Sequence, residues 1–102
     1  MTIAFTLINI SYLPVAKTLA DSFLAHNPDM LFYICLFDDK NDIQDPMFLE
    51  YNIYDKNNLN KEEYDSMRSR YDNFSMACAL KPYFAEALIR DFNPENIVYL
   101  DA

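Results

Sequence analysis

Glycine is absent from all 102 residues. That absence removes two common ways of holding a nucleotide. A phosphate-cradling loop and a dinucleotide fingerprint both need glycine, for tight turns and for close approach of backbone to phosphate. A chain like this one that bound a nucleotide would need a substitute, and a divalent cation held by carboxylates is the natural one. Cysteine is scarce. Cys35 and Cys78 lie far apart on segments that read as buried, with no Cys-x-x-Cys or Cys/His spacing for zinc, and two isolated thiols point to a reducing compartment. The single histidine, His26, falls near a helix end, where a favourable dipole contact is expected rather than catalysis.

Positive charge is also short, with 8 Lys+Arg against 16 Asp+Glu and a formal charge of -8. There is no basic stripe for nucleic acid and no polybasic amphipathic face for a membrane. The longest apolar run, Met30–Phe37, is far too short to span a bilayer. Met1–Ile10 lacks the basic region and small-residue cleavage site of a signal peptide. A soluble cytoplasmic protein with no transmembrane segment is the expectation.

What is present is apolar. Hydrophobic residues make up 52% and aromatics 16%, ample material for one core. The length suits one domain or a piece of one, and a chain this short buries only roughly two thirds of its unfolded surface. Part of the apolar surface is therefore expected to await a missing C-terminal part or a second copy, as in a homo-oligomer.

Along the chain, Ile3–Ile10 reads as a first strand, with Asn9 and the Ser11-Tyr12 pair at or beyond its tip. Pro14 suits a first helical turn. Leu13, Ala16, Ala20, Phe23 and Leu24 recur at helical spacing to about His26, and Asn27-Pro28 stops the helix. Met30–Phe37 is apolar throughout, as expected of a parallel strand covered on both faces. It ends in Asp38-Asp39, which read either as a turn and helix-start signal or as a site. The acidic block Asp38–Asp65 holds nine acids and three lysines and reads as a solvated loop region. Within it Phe48–Tyr54 is expected to contain a short strand. Leu59–Arg70 reads as a helix capped by Asn60, with Leu59, Tyr64 and Met67 as a weak stripe. The last helix spans Ser75–Arg90, with Ser75 a candidate N-cap and Phe84, Ala85, Leu88 and Ile89 as its buried face. Pro82 requires that helix to start near Lys81 or to kink there. Asn93-Pro94 ends it, and Ile97–Leu100 follows as a buried strand delivering Asp101 at its tip. The order β-α-β-(β)-α-α-β predicts an α/β architecture with a mostly parallel sheet and flanking helices. In such sheets ligands bind at the carboxyl ends of the strands.

These segments, in this order, resemble the N-terminal half of a GT-A-fold glycosyltransferase, a Rossmann-like nucleotide-diphospho-sugar transferase. The resemblance is carried by Thr6–Leu13 (TLINISYL), by Ala20–Phe23 with His26–Asp29 (HNPD), and by Phe32–Asp39 (FYICLFDD). Ala79–Phe84 (ALKPYF) and Val98–Ala102 (VYLDA) complete it, so it covers essentially the whole chain. It implies a strand-end Asp-x-Asp motif binding Mn²⁺ or Mg²⁺ on the diphosphate of a nucleotide sugar, a UDP-sugar first of all. Asp101 would be the first acid of that motif and Ala102 its middle residue. The second acid would fall one residue past the end, so the chain is expected to stop inside the motif and to be inactive alone. By the same resemblance Tyr12 lies against the base, Asn9 and Thr6 offer polar groups to base or ribose, and Asp38 and Asp39 do likewise from the neighbouring strand. Lys81 pairs with Asp101 or with the diphosphate. Read without the resemblance, Tyr12 is a helix-start aromatic, Thr6 an ordinary strand residue and Lys81 a surface lysine.

Three functions remain open on the sequence. The first is donor binding for glycosyl transfer. The second is a non-catalytic interaction or self-association module of the same fold. The third is a flavodoxin-like phosphoacceptor domain, against which the absence of further C-terminal strands counts.

Overall fold

A computed structural model describes residues 1–102. Its four strands are β1 (Thr2–Ile8), β2 (Leu31–Leu36), β3 (Asn52–Tyr54) and β4 (Asn96–Tyr99), and its helices are α1 (Leu13–His26), α2 (Lys61–Arg70) and α3 (Asn73–Phe92). The sheet is parallel throughout, in the order β3-β2-β1-β4. The architecture is therefore α/β and compatible with a Rossmann-like sheet.

Residue alternation along the two central strands explains why both faces are covered. Ile3, Phe5 and Leu7 of β1, with Tyr33 and Cys35 of β2, pack with Met76, Leu80, Phe84 and Leu88 of α3 and with Tyr64 and Met67 of α2. Ala4 and Ile8, with Phe32, Ile34 and Leu36, meet Leu13, Ala16 and Ala20 of α1 on the opposite face. A strand buried on both sides has no polar face, hence the unbroken apolar run seen in β2. Ala16 and Ala20 are fully buried, and side chains that small let α1 lie close to the sheet.

A glycine-free chain has to turn by other means, and carboxylates and amides do it here. Asp39, Asp45 and Asp55 each accept a hydrogen bond from the backbone amide two residues on, opening short 3-10 turns at Lys40–Asp42, Pro46–Glu50 and Lys56–Asn58. Such side-chain-to-backbone bonds reproduce a backbone turn. Asn60 caps α2 as its position suggested, accepting from the Glu63 amide. Asn93 is the one residue in the left-handed region (φ 46°, ψ 55°), and it ends α3 in the role glycine usually fills.

Several expectations need correction. Helix α3 is capped by Asp72 rather than Ser75, with the Asp72 carboxylate accepting from the Ser75 amide at 2.7 Å, and of the two alternatives at Pro82 the helix continues through the proline rather than starting near Lys81. The proline deprives only the Cys78 carbonyl of its donor. Both Pro82 and Cys78 are exposed, so the missing bond falls on the solvent side of the helix. For the same reason Cys78 is exposed rather than buried, and only Cys35 lies in the core. The buried stripe of α3 includes Met76, Leu80 and Ala87, whereas Ile89 is exposed and Ala85 only half-buried. Phe48–Tyr54 is mostly 3-10 turn, its strand reduced to Asn52–Tyr54. Strand β4 is not a buried strand. It lies at the sheet edge with Asn96 and Val98 exposed, and it stops at Tyr99.

Candidate functional site at the carboxyl edge of β1 and β4

The strand order reverses at β1. From its tip the chain passes through α1 to β2 on one side, and it returns through α3 to β4 on the other. Loops that diverge this way leave a crevice at the carboxyl ends of the two strands, the usual ligand position in open α/β sheets. A cleft of about 340 Å³ lies there, lined by Asn9 and Tyr12 after β1, Phe37 after β2, Asn73, Phe74 and Ala77 from the first turns of α3, and Tyr99 and Asp101 from the β4 end.

The turn that carries Tyr12 is tied down locally. Ile10–Tyr12 forms a 3-10 turn leading directly into α1, and the Ile10 amide donates to Asp38 Oδ2 at 3.1 Å. The Ser11 hydroxyl donates to Asn9 Oδ1 at 2.5 Å. Tyr12 itself is 54% exposed and belongs to neither core cluster.

Across the cleft, Lys81 reaches over from α3. Its ammonium lies 4.5 Å from the centre of the Tyr99 ring and 3.9 Å from Asp101 Oδ1. The Asp101 side chain is 84% exposed, so this ion pair is a loose, screened one. Burial and the neighbouring Asp101 carboxylate push the Tyr99 hydroxyl up to about 12, which keeps it a neutral donor at physiological pH.

The seven candidate residues therefore separate. Asn9, Tyr12 and Asp101 share one cleft, and Lys81 touches two of its lining residues. Asp38 abuts the cleft through Ile10. Asp39 is turned to its own loop, accepting from the Asn41 amide at 2.9 Å and the Asn57 side chain at 3.2 Å, and these bonds hold its carboxyl below the usual range. It acts as the turn residue its position also suggested. Thr6 is fully buried in β1 and does not line the cleft, and its hydroxyl lies beside that of Tyr99 without forming a well-aligned hydrogen bond. Thr6 is thus set apart from the cleft by burial, and Asp39 is already bonded to the Asn41 amide and the Asn57 side chain.

Two residues of this edge escaped the sequence reading. Asp55 is 1% exposed, and its carboxylate accepts from the amides of Lys40 at 2.7 Å and Asn57 at 2.9 Å, joining the loops after β2 and β3. Its signal was an Asp two residues before an Asn at the end of an apolar stretch, the pattern of a carboxylate that caps a turn. Phe74 is 80% exposed in the cleft wall. Its signal was an aromatic residue out of phase with the stripe of α3.

No group of three or more His, Cys, Asp or Glu side chains converges to hold a metal ion. Asp101 offers one carboxylate. Magnesium-type sites commonly use one or two carboxylates together with substrate phosphates, so this donor set suits such an ion only jointly with a bound diphosphate. No helix is long and apolar enough to cross a membrane. No family model matches this chain, and neither a curated protein nor a solved structure matches it significantly.

Proposed function

We propose that the cleft binds a nucleotide-diphospho-sugar donor, in the manner of a GT-A-fold glycosyltransferase, with a UDP-sugar as the first candidate. The observation that carries this reading is the meeting of Asn9, Tyr12 and Asp101, residues 9 to 101 in sequence, in one cleft at the switch point of the sheet. Tyr12 offers an exposed ring to a base and Asn9 a side-chain amide. Lys81 offers the one ammonium that contacts residues of the cleft, toward phosphate. Asp101 would supply a ligand to Mn²⁺ or Mg²⁺ shared with the diphosphate, and such an ion offsets the charge that a departing diphosphate carries. Both thiols are free, which suits a cytoplasmic setting.

The test is calorimetry with UDP, GDP and their sugars, with and without Mn²⁺. UDP is expected to bind more tightly with Mn²⁺ present, and Asp101→Ala is expected to abolish that increment while leaving metal-free binding. Absence of binding by every nucleoside diphosphate, with or without the ion, would reject the reading.

A second reading, a non-catalytic self-association module, is favoured by one observation. The outer edge of β4 is unpaired, Val98 on it is exposed, and an open groove of about 660 Å³ runs beside Pro14, Val15 and Leu19 of α1. Sedimentation showing concentration-dependent dimers without any nucleotide-induced thermal shift would favour this module over donor binding.

A further inference from the structure

Phe74 is the most exposed of the large hydrophobic side chains. Helical geometry explains why it cannot join the core. It precedes Met76, the first residue of the buried stripe, by two positions, which turns it about 200° away from the sheet. The ring is not simply turned to bulk solvent, however. It lines the same cleft as the half-exposed Tyr12, which comes from the start of a different helix on the other side of β1.

We propose that Phe74 and Tyr12 are the two walls of a subsite for one planar aromatic ring, and that this ring is the base of the nucleotide; the proposal rests on the donor-binding reading above. Three features favour a base over a protein segment. The volume of about 340 Å³ lies near the low end for small-molecule sites and suits one compact ligand. Aromatic rings stack on bases because every base has a π-face, independent of hydrogen-bond pattern. The charge pattern also fits a ring with an anionic tail. The chain carries a formal charge of -8 and repels anions generally, yet Lys81 stands over Tyr99 at the same cleft. The Asn9 carbonyl is engaged by Ser11, which leaves its amide nitrogen free to donate to a base oxygen.

The decisive experiment titrates uridine, UDP and inorganic pyrophosphate into the chain and into Phe74→Ala and Phe74→Trp, with uracil ring-current shifts as a second readout. Phe74→Ala is expected to weaken uridine and UDP by roughly tenfold or more, the lower range for loss of one stacked base. Pyrophosphate affinity and the melting temperature are expected to stay unchanged, because the ring is exposed, and Phe74→Trp is expected to retain UDP. UDP binding unchanged in Phe74→Ala, or an equal loss for pyrophosphate, overturns the subsite and leaves the donor-binding reading standing. Stacked uridine without any UDP or pyrophosphate affinity upholds the subsite and rejects the diphosphate reading. Failure of all three ligands to bind rejects both.

Discussion

The carboxylate of Asp38 accepts a hydrogen bond from the Ile10 amide at 3.1 Å, joining the tips of two neighbouring strands across 28 residues of sequence. The turn it holds, Ile10–Tyr12, carries the cleft's tyrosine into α1. One oxygen of an acid that reads from the sequence as either a turn residue or a ligand thus holds this turn. Asp38→Ala is expected to cost about 1.5 kcal/mol of stability, the low end for a hydrogen bond to a charged acceptor, because the pair is only half-buried. It is also expected to speed hydrogen exchange at the Ile10 amide and to weaken UDP binding, while Asp38→Asn keeps an acceptor and restores most of both. Unchanged protection of that amide in Asp38→Ala would show that the bond is not what fixes the turn.

Thr6 offers a test in the opposite direction. Its hydroxyl is fully buried beside the Tyr99 hydroxyl but forms no well-aligned hydrogen bond, so its desolvation cost is poorly compensated. Thr6→Val keeps the shape and removes the hydroxyl. Chemical denaturation is expected to show a gain of about 1 kcal/mol, with nucleotide affinity unaltered. A loss of nucleotide affinity in that variant would return Thr6 to the site.

The acid limb of stability follows from the caps. The carboxyls of Asp72 and Asp39 are held below the ordinary value near 3.8, by the Ser75 amide in the first case and the Asn41 amide in the second. A carboxyl depressed in the folded state stabilises the fold above its unfolded value, and that stabilisation disappears as pH falls through the folded value. The melting temperature is therefore expected to stay level from about pH 7 to about pH 5 and to fall below about pH 4. The double variant Asp39→Asn, Asp72→Asn, which retains both caps without titratable groups, is expected to flatten that fall. An acid limb of unchanged steepness would assign it to other carboxyls.

At the alkaline end Tyr99 reports on the cleft. Its hydroxyl is raised from 10.0 to about 12, first by burial and then by the Asp101 carboxylate. A raised value means that the neutral form is favoured in the folded chain. The resulting stabilisation is complete below the unfolded value and is lost as pH rises through the folded one. NMR titration of labelled Tyr99 is expected to show ionisation at lower pH in Asp101→Asn than in the parent chain. An identical titration in both would separate Asp101 from the tyrosine.

Asn93 tests the backbone. Its left-handed conformation is tolerated by Asn and Gly but costs a β-branched residue about 1–2 kcal/mol. Thermal melts are expected to rank Asn93→Gly near the parent and Asn93→Val well below it.

Much of the fold was legible because it depends on local rules. The apolar run Leu31–Leu36 could only be a strand covered on both sides, and Pro14, Asn60 and the Asn27-Pro28 pair mark helix boundaries through backbone chemistry alone. The helix through Pro82 was legible only as one of two alternatives. Local propensity argues against it, and packing of Met76, Leu80, Phe84 and Leu88 against the sheet outweighs one missing hydrogen bond. The exposure of β4 was not legible either, because an edge strand and a central strand can share the same apolar pattern.

The sequence by itself determined the element order, the α/β class and the need for turns without glycine, since each follows from periodicity, capping and the absence of one residue type. Only the tertiary structure decided which carboxylates are free. Asp38 and Asp55 accept from the Ile10 and Lys40 amides, which come near them only when the sheet assembles, and Asp39 accepts from the Asn41 amide of its own turn, while Asp101 is left at the cleft facing Lys81. A carboxylate looks the same in a sequence whether it is spent or available. Its partners come from distant segments, and strand order is what brings them within reach.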